Sequence, residues 1–138
     1  MAIGTRWCVC TRPALNPRNA AFYASRGQAL LEVGEVDRGL ADCDHAIGLE
    51  PNFARGSYCR GTALYRKNEL AGAVVAFKKA LELDPTMAVA HGNLGWVLLL
   101  MGKEAEARAE FAECVRLDPS AQPKIEQSIR ARSKPRQP

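Results

Sequence analysis

An all-α solenoid is the fold class the sequence predicts: three helix hairpins in series, closed by one further helix. Three observations predict it. Prolines recur at a fixed interval of 34 residues, at Pro17, Pro51, Pro85 and Pro119. Other residues keep the same interval: Leu15, Leu49, Leu83 and Leu117 precede those prolines by two, and Ala20, Gly27 and Leu30 return as Ala54, Gly61, Leu64 and as Ala88, Gly95, Leu98. Within each period the apolar residues are spaced by three to four and interrupted once, which describes two helix faces rather than one. A period of this length marks stacked helical repeats, whose units bury their apolar faces only against each other.

The elements follow in chain order. Residues 1–19 hold Arg6, Arg12 and Arg18 and no acid, and their Leu15-Asn16-Pro17 looks like the end of an earlier unit. Pro13 falls where that unit's second helix would still be running, so 1–19 is expected to be an irregular arm or an eroded repeat. The three hairpins are expected at 20–53, 54–87 and 88–121. In the second, Tyr58, Gly61, Leu64 and Tyr65 mark one helix face. Leu70, Ala73, Val74, Phe77, Ala80 and Leu81 mark the other. Asn68 lies between them, where Gly34 and Gly102 lie in the other units; Gly and Asn tolerate the left-handed conformation that follows many helix ends. Asp84-Pro85 ends the hairpin, because proline disfavours helix at the residue before it. Gly27, Gly61 and Gly95 sit mid-helix, where glycine costs about 1 kcal/mol relative to alanine. Paying that cost three times predicts a close helix approach with no room for a Cβ. Pro123 suits a first helical turn, and Ile125 and Ile129 follow at helical spacing among charged residues, so 122–133 is expected to be a capping helix. Residues 134–138 are expected to be a disordered tail.

Composition excludes several classes. Apolar residues make up 47% and charged residues 25% of the 138-residue chain, as in ordinary globular proteins. The longest apolar run, Trp96 to Met101, is six residues, against about 20 for a membrane span. No apolar signal-peptide core precedes the repeats, and five cysteines are too few for a disulfide scaffold, so a cytoplasmic protein with reduced thiols is expected. The net charge of +4 is unevenly placed. Residues 20–123 carry 11 basic and 14 acidic side chains, whereas 124–138 carry 5 basic and 1 acidic. The repeat body is therefore mildly acidic between basic ends, and the net charge does not mark it as a nucleic-acid surface.

The repeat resembles the tetratricopeptide repeat family over residues 20–121. The third unit carries Leu94-Gly95, Ala107, Phe111 and Pro119 at the motif positions, and the second carries Gly61, Leu64, Ala73, Phe77, Ala80 and Pro85. The first keeps Gly27, Leu30, Ala46 and Pro51 but departs at Arg26, Gly39 and Cys43, so its hairpin is expected to be the loosest packed. The resemblance implies a right-handed superhelix whose first helices line a concave, peptide-holding groove. The matching positions are Ala21, Ala24, Ser25, Gln28, Leu31 and Glu32 in the first unit. The second supplies Arg55, Tyr58, Cys59, Thr62, Tyr65 and Arg66, and the third Val89, Gly92, Asn93, Trp96, Leu99 and Leu100. Tyrosine, tryptophan and arginine are enriched at binding hot spots, and the resemblance implies that Asn93 bonds a ligand backbone. Some family members grip chaperone C-terminal carboxylates with lysine, arginine and asparagine. Here those positions hold Ala24, Gln28, Cys59, Val89 and Asn93, without the cations that charge-assisted bonds need. A chaperone carboxylate is therefore not the expected ligand.

No catalytic or metal constellation is expected. Cys8-Val-Cys10 lacks a second pair at zinc spacing. Cys43 and Cys114 take packing positions, Cys59 is expected to be the reachable thiol, and His45 and His91 lie in different units. Glu104, Glu106, Glu110 and Glu113 read as a solvated face, with Glu104 and Arg108 spaced for an i,i+4 pair. There is no phosphate loop and no nucleophile elbow. The expected function is protein–protein interaction, with no enzyme activity and no cofactor: a scaffold or adaptor for a peptide or partner helix. Two alternatives are self-assembly through the N-terminal end and electrostatic binding of nucleic acid or acidic membrane by the basic tails.

Overall fold

The computed structural model describes residues 19–133, and every regular element among them is helical. Three hairpins follow one another: α1 (Ala20–Glu32) with α2 (Val36–Leu49), α3 (Ala54–Arg66) with α4 (Leu70–Leu83), and α5 (Ala88–Leu100) with α6 (Glu104–Leu117). A single 3-10 turn at Pro119–Ala121 leads into α7 (Gln122–Ser133). The expected arm, Cys8-Val-Cys10 and the tail lie outside the described residues.

The turn inside each hairpin is built the same way. Gly34, Asn68 and Gly102 adopt φ of 90°, 63° and 81°. Each lets the next residue's N–H reach back five residues, so that Glu35, Glu69 and Lys103 donate to the carbonyls of Leu30, Leu64 and Leu98 at 2.9 Å. The second bond of the motif is also present, from Gly34, Asn68 and Gly102 to Leu31, Tyr65 and Leu99. These paired bonds satisfy carbonyls that a helix end otherwise leaves open. Between hairpins, Asp84 Oδ1 accepts from the Thr86 backbone and hydroxyl at 3.1 and 2.6 Å, and Asp118 does the same for Ser120. The Thr86 hydroxyl, and then its N–H, hold the Asp84 carboxyl below its usual pKa.

The mid-helix glycines mark close packing. A Cβ on Gly61 would lie 2.7 Å from the Phe77 ring, and one on Gly95 would lie 2.7 Å from Phe111. Each aromatic from a second helix thus occupies the space its first helix leaves open. Gly61→Ala forces the Phe77 ring off its site, and overpacking of this kind costs about 1–3 kcal/mol. A denaturant melt of that variant is expected to show the loss, whereas Gly48→Ala, with open space at its Cβ position, is expected to show none.

One continuous core runs through hairpins two and three into α7: Leu64, Phe77, Leu94, Val97, Leu98, Phe111 and Ile125 are its bulky members. The first hairpin is packed differently. Its buried Leu31 and Cys43 cluster with Cys59 and Ala63 of α3, and its Ala20, Ala24 and Ala46 form a second cluster, with no buried aromatic in either. Arg26 stands where the third unit has the buried Leu94, and it makes a two-pronged bond to Asp42 of α2 at 2.6 and 2.8 Å. Its guanidinium also lies 5.3 Å from the ring centroids of both Phe22 and Tyr23. An ion pair therefore joins the first hairpin's helices where the third uses leucine.

The cysteine expectations need correction. Cys59 is not a reachable thiol: it is fully buried and disulfide-bonded to Cys43, with Cα atoms 5.4 Å apart. Its side chain points back toward Ala24 and Gly27 of α1 rather than into the groove. Ala24 and Leu31 are likewise sealed in the contact between hairpins. Glu104 and Arg108 do not form the expected pair; the bridge on that helix joins Glu113 to Arg116 at 2.8 Å.

Candidate functional site

A hollow of about 300 Å³ opens across the three first helices. Gln28 and Glu32 come from α1, Tyr58, Thr62, Tyr65 and Arg66 from α3, and Asn93 and Trp96 from α5. Positions one period apart stand side by side here, because successive hairpins stack nearly in register.

Four of these side chains are held by neighbours. The Tyr58 ring lies 5.8 Å from Phe77 and the Trp96 ring lies 5.2 Å from Phe111, so the aromatic core supports the aromatic surface. Asn93 Nδ2 donates to the Tyr58 hydroxyl at 3.0 Å, tying α5 to α3 at the floor. Thr62 Oγ1 donates to the Tyr58 carbonyl at 3.1 Å, a bond within α3. Tyr65 is 42% exposed and rises from the wall. Gln28 Nε2 is buried and has no hydrogen-bond partner among the described residues. A buried donor without a partner costs about 1–3 kcal/mol. Glu32 and Arg66 give the rim one charge of each sign.

All eight residues that line this hollow were among those expected in the groove: Gln28, Glu32, Tyr58, Thr62, Tyr65, Arg66, Asn93 and Trp96. Arg55 is exposed on the first turn of α3 and is not part of the lining. Cys59 is beneath the surface, as described. Leu99 faces a separate hollow with Phe111, Ile129 and Arg132, so the last turn of α5 looks toward α7. Another hollow, of about 370 Å³, lies among α2, α3 and α4, with Ile47, Leu64 and the 69%-exposed Val75 in its lining. The sequence pattern did not reveal it, because Val75 and Ile47 belong to different periods and meet only when hairpins stack.

The histidines serve structure. His91 Nδ1 lies 2.7 Å from Glu110 and Nε2 lies 3.1 Å from the Pro85 carbonyl, while His45 stacks edge-on with Tyr23. Burial raises the pKa of the free Cys114 thiol. Among the described residues no group of three or more His, Cys, Asp or Glu is placed to hold a metal ion, and no helix is long and apolar enough to cross a membrane.

Comparison with known proteins agrees with this architecture. A family model described as "TPR repeat" matches residues 61–102, and one described as "Tetratricopeptide repeat" matches 88–120. Hsc70-interacting protein 1 of Drosophila melanogaster is 43% identical over 49 residues, which is 36% of this chain and 13% of that protein. Among solved structures, MamA from Desulfovibrio magneticus RS-1 superimposes with a TM-score of 0.68 at 24% identity, covering 78% of this chain and 60% of that one. The first repeat domain of Spaghetti (RPAP3), bound to the HSP90 peptide SRMEEVD, gives 0.73 at 18% identity, covering 83% and 94%. The 34-residue period, the glycine–phenylalanine contacts it places in hairpins two and three, and both family-model matches agree: residues 61–120 are tetratricopeptide repeats.

Proposed function

We propose that this chain is a protein-interaction module that takes an extended peptide or a partner helix into the hollow lined by α1, α3 and α5. One observation carries the reading: aromatic and hydrogen-bonding side chains from three successive hairpins converge on a single hollow of about 300 Å³. Tyr58, Tyr65 and Trp96 offer rigid apolar area at low entropic cost, and Gln28 and Asn93 offer amide groups for a ligand backbone. Affinity selection of a displayed peptide library tests it. Peptides selected on the native chain are expected to lose binding to a Tyr65→Ala, Arg66→Ala variant; undiminished binding contradicts the reading.

The ligand proposed is not a chaperone carboxylate tail. The repeat domain of Spaghetti holds such a peptide, but that likeness is one of fold. The Drosophila relatives match over 13% of their length, too little to transfer a partner. In this chain Ala24 and Cys59 are buried, Val89 is apolar and exposed, and among the described residues Arg66 is the single cation lining the hollow. Calorimetric titration with SRMEEVD is expected to give no saturable heat below about 1 mM, and a Kd near 1 μM, about 4 kcal/mol tighter, contradicts the proposal. The self-assembly and basic-tail alternatives rest largely on residues outside the described set.

A further inference from the structure

The first hairpin departs from the other two at the contact that joins its helices. Phe77 and Phe111 cover Gly61 and Gly95, but the residue one period earlier, opposite Gly27, is Cys43. A cysteine is too small to replace a phenyl ring. The remaining space is filled from the next hairpin by Cys59, whose Sγ lies 2.9 Å from the Cβ position of Gly27, with Cys43 Sγ at 3.1 Å. The 5.4 Å Cα separation falls within the range disulfides require, so the pair can be joined without moving either backbone. Cys59 Sγ also lies 3.6 Å from the Ala24 carbonyl of α1, so the bonded pair sits directly against the first helix.

We propose that Cys43 and Cys59 form a redox-operated staple, which locks the first hairpin to the second when oxidised and releases it when reduced. The bond crosses from α2 to α3, between hairpins rather than within one. It closes a segment of 16 residues, and such a loop restricts the open chain substantially. The hairpin it secures has the smallest side chains in its core, Leu31 being the bulky exception. It therefore gains most from a covalent tie. α1 also carries Gln28 and Glu32, so the staple fixes one wall of the hollow. That last consequence rests on the groove reading; the staple itself does not.

The chemistry needs a disulfide oxidant such as oxidised glutathione. One cysteine thiolate attacks it, giving a mixed disulfide and releasing one glutathione thiol. The second cysteine then displaces the other glutathione. The protein loses two electrons and two protons, and both appear in the two glutathione thiols formed. Both cysteines are completely buried, so exchange in either direction requires the first hairpin to open.

The full chain equilibrated in glutathione buffers, from reducing to oxidising, provides the test. After alkylation, trypsin cuts at Arg38, Arg55 and Arg60, so the bond appears as peptide 39–55 linked to 56–60. Hydrogen exchange is followed on the same samples. The linked pair is expected to dominate the oxidised protein. Amides of α1 and α2 are expected to exchange roughly tenfold slower or more in that state, while α5 and α6 stay unchanged. A Cys43→Ala, Cys59→Ala variant, if folded, should lose the redox response of α1 and α2; a response that persists overturns the proposal. Three results on the native chain also overturn it: no linked pair at any potential, linkage to Cys8, Cys10 or Cys114 instead, or linkage that leaves α1 and α2 exchange unaltered. No ligand enters either readout, so failure here leaves the groove reading standing, and failure of the groove reading leaves the staple standing.

Discussion

Phe77→Ala is expected to lower stability by about 3–5 kcal/mol, the range for truncating a buried aromatic. Domains have only about 5–15 kcal/mol in total, so the variant is expected to unfold at a much lower denaturant concentration. Phe77 is almost wholly buried and its ring seats on Gly61. Gly61 cannot fill the vacated volume, because it has no side chain to reorient. Tyr58 also leans on that ring, so the hollow loses its support together with the core. Val75→Ala on the same helix supplies the contrast. Val75 is largely exposed, and its change should fall within about 0.5 kcal/mol. Equal denaturation midpoints for the two variants would show that the aromatic does not hold the repeats together.

Trp96→Ala is expected to weaken a selected peptide by about 2 kcal/mol or more, roughly 30-fold in Kd. The indole is half-buried, is set edge-on against Phe111, and lines the hollow next to Asn93. Its rotamer is fixed before ligand arrives, so little entropy is lost when it is covered. Trp96→Phe keeps the contact with Phe111 and should recover part of the affinity. Isothermal titration of the three proteins, each checked for an unchanged helical spectrum, measures both effects. Equal affinities would exclude Trp96 as an anchor.

Much of the fold was legible because the repeat makes its own constraints visible. Asn68 and the glycines at 34 and 102 could be placed as left-handed helix ends from position alone, since few other residues accept that backbone. The steric role of Gly61 and Gly95 followed from glycine recurring where it should be costly. The hollow was legible to the extent that its side chains project along one helix face. What register could not supply was direction at the junctions between hairpins. Cys59 shares its register with Asn93, and both reach back to the preceding unit. Asn93 ends at the Tyr58 hydroxyl on the surface, whereas Cys59 ends among Ala24, Gly27 and Cys43 beneath it. Leu99 was misplaced because α7 draws the last turn of α5 to its own side.

The first hairpin contained a usable signal. Two of its departures come with a partner: Arg26 with Asp42, and Cys43 with Cys59 of the next hairpin. A substitution that removes one packing group while its neighbour also changes points to a replaced contact rather than to a looser one. The ion pair and the disulfide are those replacements.

The central claim is that ligands enter the hollow formed by α1, α3 and α5. Mapping a selected peptide by amide chemical-shift perturbation on the ¹⁵N-labelled chain tests it most directly. The largest shifts are expected at Gln28, Thr62, Tyr65 and Asn93 and at the Trp96 indole. Shifts centred instead on Ile47, Val75 and Lys79, or confined to the termini, would contradict it.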